Sequence, residues 1–270
     1  MTEIGAALEG LKLWPHHVET IERTVERIRA DGAALALILG GSLAHGLGTE
    51  GSDVDIVVLA ERGDFARRAA VPDLTFTWHD VPTYDSYVDG KWADLDFLET
   101  VAQRGSDPAR WAFAGARILF SHEPALAGVL ERIGRFPIEE QPARTASLAA
   151  QLCAWRWFYS EATAKQNAYL HHTAVHHTIL NASRLVHARN AQFFPFHKWM
   201  LRTVEAAGDR PADLLDRFDT LLAHPSQERI DTLVEDLFAH YGIDSAETQR
   251  TWGTHFMHDT ELAWYHGTEL

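Results

Sequence analysis

The sequence predicts an α+β protein in two parts: a small mixed β-sheet with helices packed on it over residues 1–138, then a helical bundle over residues 139–270. Three observations carry this. Short apolar or alternating runs bounded by glycine and proline fall only in the first half. From Thr145 onward helical periodicity dominates and strand alternation disappears. Between them "RFPIEEQPAR" sets two prolines around a polar centre, which puts the boundary near residue 139.

Each element follows from its local pattern. In "HHVETIERTVERIRADG" the apolar Val18, Ile21, Val25 and Ile28 recur three or four apart with charges between them, which predicts an amphipathic helix ended by Gly32. "AALALILGG" is short, apolar and bounded by glycines, so it predicts a buried strand. "DVDIVVLA" alternates acid and aliphatic before turning wholly apolar, as expected of a strand that starts in solvent and ends buried. "RGDFARRAA" predicts the next helix, and "DLTFTWHDVP" a strand with Leu74, Phe76 and Trp78 on one side. In "YVDGKWADLDFLE" the Asp89-Gly90 pair signals a hairpin turn followed by another alternating run. "ARILF" predicts a short strand with "PALAGVLERIG" as a helix behind it. No internal repeat or low-complexity tract is present.

Composition narrows the function. A formal net charge of -14 repels polyanions, and no Lys/Arg cluster offsets it, so a nucleic-acid partner is disfavoured and a cationic or neutral small molecule is favoured. With a single cysteine, Cys153, no internal disulfide is available. No run approaches the roughly 20 apolar residues that span a bilayer, and the first residues lack a signal-peptide pattern; a cytoplasmic protein without a membrane segment is expected.

Chemistry concentrates in "GGSLAHGLGTEGSDVDIVVL", Gly40 to Leu59. Gly40-Gly41-Ser42 follows a strand and clears side chains where backbone N–H groups and one hydroxyl can meet a ligand, phosphate above all. Asp53 and Asp55 sit two apart at the start of the next strand, on one face, with Cα atoms about 6.5 Å apart. Their repulsion is tolerable when a divalent cation binds between them, and hard carboxylate oxygens suit Mg²⁺. A phosphate cradle beside an acidic pair can hold a nucleoside triphosphate for in-line attack at phosphorus.

Gly41-Ser42, ten intervening residues and Asp53-Val54-Asp55 resemble the Gly-Ser…Asp-x-Asp signature of the polymerase-beta-type nucleotidyltransferase superfamily. Gly46 within the loop, Ser52 before the first aspartate and the aliphatic run after the second fit as well. The resemblance implies a small mixed-sheet catalytic domain, Mg²⁺ as one or two ions, a triphosphate bound by Gly41, Ser42 and Ser52, and a third carboxylate from a later strand. For that third acid "WADLDFLE" offers Asp94, preferred, and Asp96, its rival; Asp53, Asp55 and Asp94 then hold metal, with Asp94 also a candidate base. A sheet domain followed by a bundle is similar in layout to bacterial aminoglycoside and lincosamide nucleotidyltransferases. That similarity implies transfer of a nucleoside monophosphate, AMP from ATP, to a hydroxyl of a small molecule. Transfer onto a protein side chain, as in a toxin–antitoxin pair, and a nucleotide-binding sensor without turnover are the competing functions.

In the second half, "NAQFFPFHKWM" resembles a stretch of some of these enzymes, which implies Lys198 as a triphosphate contact; the alternative is a loop lysine whose stem covers Phe196 or Trp199. Glu161 is the alternative base, against a plain reading as a solvated helix residue paired with Lys165 one turn on. His172 and His176 are one turn apart but bring no third ligand, which argues against zinc. Trp155, Trp157, Phe158 and Tyr159 have helical spacing, so most of them belong to a core.

Overall fold

The computed structural model describes residues 3–80 and 86–266. Its contacts divide the chain into two compact units, Met1–Arg135 and Phe136–Leu270. The architecture is α+β, with a five-stranded mixed sheet in the first unit and helices throughout the second.

In the first unit the order along the chain is α1 (Glu3–Ala7), α2 (Pro15–Asp31), β1 (Ala34–Leu39), α3 (Gly41–Ala44), β2 (Val54–Ala60), α4 (Arg62–Ala70), β3 (Thr75–Trp78), β4 (Val88–Ala93), α5 (Leu95–Arg104), α6 (Asp107–Phe113), β5 (Arg117–Ser121) and α7 (Leu126–Gly134). In space the strands run β3-β4-β2-β1-β5. β1 is antiparallel to β2 and β5, β3 is antiparallel to β4, and β2 and β4 are parallel. The expected helix α2 ends at Gly32, whose φ of 70° completes a left-handed cap that a side chain would strain.

Alternation along the strands sorts two cores. On one face Leu37 and Leu39 of β1, Val54, Ile56 and Val58 of β2 and Val88 of β4 meet Ile21, Val25 and Ile28 of α2. On the other, Ala36 and Ile38 of β1, Val57 and Leu59 of β2 and Ala93 of β4 meet Leu98 and Val101 of α5 and Val129 and Ile133 of α7. Asp55 and Asp89 carry the parity of this second face, at the end of the strands where the aliphatic residues have not yet begun.

Two sequence expectations are corrected here. Asp89-Gly90 is no hairpin turn: both residues lie inside β4, and Gly90 is glycine because a Cβ there would sit 2.1 Å from Cζ of Phe76 on β3. Nor does the strand pattern continue through "WADLDFLE". It stops at Ala93, and Asp94 becomes the N-cap of α5, accepting a 2.7 Å hydrogen bond from the Phe97 amide.

The second unit begins with a 3₁₀ turn, Ile138–Glu140, and continues with α8 (Gln141–Ala164), α9 (Ala168–Arg189), α10 (Met200–Glu205), α11 (Leu214–Ala223), α12 (Gln227–Tyr241), α13 (Ser245–Phe256), a π turn (Met257–Glu261) and α14 (Ala263–His266). α8 and α9 pack on each other through Leu148, Leu152, Val175, Ile179 and Val186, and Phe218 of α11 and Phe238 of α12 close the same core. Buried alanines 149, 150 and 154 along α8 permit that approach. Tyr159 is buried, Trp155 and Phe158 pack at the core's margin, and Trp157 is 45% exposed. Burial pushes the Cys153 thiol up to about 11, which leaves it an unreactive core residue. Among the described residues no helix is long and apolar enough to cross a membrane.

Candidate functional site

The site is built where β1 hands the chain to α3 and β2 begins. Gly40 N–H donates to the Asp55 carbonyl at 2.9 Å, extending the β1–β2 pairing by one rung and fixing the turn against β2. Gly41 follows at φ 61°, and a Cβ on it would fall 1.8 Å from Oδ2 of Asp55. Glycine is therefore required twice: by the left-handed backbone and by the carboxylate packed on it. Ser42 is buried in the first turn of α3, whose leading amides have no acceptor four residues back. Leu47 and Gly48 amides both donate to the Ser42 carbonyl, at 2.9 and 3.0 Å, and fold the loop back over the turn.

The loop then descends to Asp53. Thr49 N–H donates to Ser52 Oγ at 2.8 Å, so the Ser52 hydroxyl, expected at a triphosphate, closes the loop's own turn in this structure. Val54 N–H donates to the Tyr87 carbonyl at 3.1 Å and joins the loop's end to β4.

The parallel register now decides which acids meet. Val54 lies opposite Val88 and Asp55 opposite Asp89, so the carboxylates of residues 55 and 89 leave neighbouring strands on the same face. Strands in such a pair are about 4.8 Å apart. The Tyr87 pKa is raised, first by the charge of Asp53 and by hydrogen bonding toward it, then by burial and by the charges of Asp89 and Asp55.

Asp94 and Asp96 do not join them, which corrects the expected third acid. Along β4, Asp94 is five residues beyond Asp89, roughly 16 Å at about 3.3 Å per residue, at the opposite end of the sheet. Its carboxylate is buried as the α5 cap, and Asp96 pairs with Arg62 at 3.1 Å. The acid that stands opposite Asp55 is Asp89. The sequence marks only the strand around it, where Val88, Gly90 and Trp92 alternate with Asp89 and Lys91, and the Asp-Gly pair, which reads as a turn, concealed even that.

Glu161 and Lys198 belong to the second unit. Glu161 is half-buried and forms the expected ion pair with Lys165 at 2.6 Å. Lys198 is exposed, with Nζ 5.4 Å from the centroid of the Trp199 ring. His177 stacks on Trp155 at 3.9 Å between centroids, and burial first, then the charges of His176 and His197, lower its pKa.

Among the described residues no group of three His, Cys, Asp or Glu side chains is placed to hold a metal ion by itself. Asp55 and Asp89, opposite each other on parallel strands, put two carboxylate oxygen donors on one face, and Asp53 lies just before β2. Hard oxygen donors with room left on the far side match the preference of Mg²⁺, which keeps waters and shares its shell with phosphate oxygens.

Residues 21–102 match the family model described as nucleotidyltransferase domain, a span that contains the Gly41 turn and all three carboxylates. A solved structure of a nucleotidyltransferase-like protein from Exiguobacterium sibiricum 255-15 is similar at 13% identity over 87% of this chain and 78% of that one, with a TM-score of 0.46. No curated protein matches the chain.

Proposed function

We propose that this chain is a Mg²⁺-dependent nucleotidyltransferase that moves a nucleoside monophosphate, AMP from ATP, to a hydroxyl of a small molecule. The observation that carries the reading is the contact between the Asp55 carboxylate and Gly41, which sets a candidate metal ligand directly against a turn suited to phosphate. The domain match over residues 21–102 supports nucleotidyl transfer as the general class.

In this reading the leading amides of α3, with the Ser42 hydroxyl, bind the triphosphate, and Asp53, Asp55 and Asp89 hold the cation. Mg²⁺ bound there supplies positive charge against the triphosphate and the departing pyrophosphate. The acceptor oxygen attacks the α-phosphorus, the bond to pyrophosphate breaks, and a carboxylate oxygen of Asp89 takes the hydroxyl proton. Asp89 fills the role for which the sequence had offered Asp94. The net charge of -14 favours a cationic or neutral acceptor over a polyanion.

The test is to incubate the protein with each of the four nucleoside triphosphates, Mg²⁺ and a panel of polyhydroxylated small molecules, cationic ones included. Pyrophosphate release together with a mass gain of one nucleoside monophosphate on an acceptor is expected. Absence of release with every nucleotide and acceptor, alongside unchanged melting on adding nucleotide and Mg²⁺, would sink the proposal. Mass gain on a co-expressed protein and on no small molecule would replace the acceptor class.

A further inference from the structure

We infer that His17 is a positioning residue for this site: its imidazole fixes the loop that delivers Asp53, an inference that rests on the metal-binding reading above. The loop from Gly46 to Ser52 contains Gly46, Gly48 and Gly51, so its backbone loses more freedom on ordering than an ordinary loop and needs specific bonds to hold one path. Those bonds come from the start of α2. His17 Nε2 lies 3.1 Å from the Ser52 carbonyl, and its neighbour His16 places Nε2 2.9 Å from the Glu50 carbonyl.

His17 is 0% exposed, and its role as donor is set by its other nitrogen. Trp14 N–H, at the N-cap of α2, points at Nδ1 at 3.4 Å. A neutral imidazole carries one N–H; with Nδ1 accepting, the proton sits on Nε2 and is donated to Ser52. The helix start thus orients the ring, and the ring orients a carbonyl 35 residues further along the chain.

That carbonyl belongs to the peptide that leads into Asp53. On its other side Asp53 is followed by Val54, whose amide is tied to the Tyr87 carbonyl. Asp53 therefore stands between two anchored peptide planes, one held by His17 of α2 and one by Tyr87 just before β4. Removing the His17 donor frees the first plane and lets the Asp53 carboxylate turn away from Asp55 and Asp89. Partners that orient a ligand from behind typically change metal affinity by about 10–100-fold when lost.

The experiment titrates Mn²⁺ alone, followed by its free-ion electron paramagnetic resonance signal, into the full-length wild type, Asp53→Asn, His17→Leu and His17→Gln, with melting recorded for each. Wild type binds and Asp53→Asn loses that binding. His17→Leu is expected to weaken Mn²⁺ by about 10–100-fold, while His17→Gln, which restores a donor toward Ser52, returns to within about threefold of wild type. A purely packing role predicts instead that Leu and Gln shift melting alone. Folded His17→Leu that binds Mn²⁺ like wild type overturns the inference and leaves the metal reading standing. Wild type that binds no more than Asp53→Asn overturns both. Where His17→Leu does not fold, long-range ¹⁵N–¹H correlations on the wild type decide: an Nε2–H tautomer supports the inference, and an Nδ1–H tautomer overturns it.

Discussion

Gly41→Ala separates backbone strain from damage to the carboxylate site. At φ 61° any L side chain is strained, at a cost of about 1–2 kcal/mol. Gly46 provides the control, since its φ of 69° imposes the same strain but a Cβ there meets nothing within 4 Å. At Gly41 the added methyl lands 1.8 Å from Asp55 Oδ2. Relaxed non-bonded contacts need about 3.5 Å, so the carboxylate or the turn must give by more than about 1.5 Å. Displacements of about 1 Å at a reacting centre cost roughly 100-fold in rate. Gly46→Ala is expected to lower melting by roughly 3–8 °C, the effect of 1–2 kcal/mol in a unit of this size, and Gly41→Ala by more, since its clash adds about 1–3 kcal/mol. Nucleotidyl transfer, followed by pyrophosphate release, is expected to fall at least about 100-fold in Gly41→Ala and by less than about threefold in Gly46→Ala. Equal losses in the two variants, or a Gly41→Ala protein with wild-type rates, would refute the claim that Asp55 is held in a working position by that contact.

Exchanging the two candidate third acids gives opposite phenotypes. Asp89→Asn is expected to abolish measurable transfer with melting nearly unchanged, whereas Asp94→Asn, which weakens the bond to the Phe97 amide, loses up to about 1 kcal/mol of stability with transfer retained. Gly90→Ala forces a methyl to 2.1 Å from Phe76 Cζ and is expected to cost about 1–3 kcal/mol, read by urea denaturation. Stability is also expected to fall on acidification. Burial lowers the pKa of His17, His45 and His177, so the unfolded chain takes up their protons first as the pH drops below about 6.5. Each contributes a slope of at most about 1.4 kcal/mol per pH unit, lost as pH falls toward the folded value and fully present above about 6.5; denaturation series from pH 7.5 to 5.5 measure it.

Most of the fold was legible because its elements obey simple periods. α2, β1, β2 and α7 are each amphipathic or wholly apolar in the way their neighbours require, and the turn before α3 is marked by glycines whose need is steric. The acids Asp53 and Asp55 were expected on one strand face from their spacing; the structure starts β2 at Val54, so Asp55 lies on the strand and Asp53 just before it. Asp89 was not, because its partnership with Asp55 is a matter of parallel register, set by long-range pairing and absent from local sequence. Asp94 misled through ambiguity: an aspartate before "LDFLETV" fits a strand carboxylate or a helix cap, and Leu95, Leu98 and Val101 spaced three apart favoured the cap. His17 was hidden within the amphipathic pattern of α2, whose polar residues otherwise read as a solvated face.

Diffraction from crystals grown with Mn²⁺ and a non-hydrolysable ATP analogue, with data collected at the manganese absorption edge, measures the central claim most directly. The account predicts an anomalous peak within about 2.5 Å of carboxylate oxygens of Asp53 and Asp55, with Asp89 facing it and a phosphate seated on the Gly41 turn. A nucleotide bound elsewhere, or manganese beside Asp94 and Asp96 at the far end of the sheet, would contradict it.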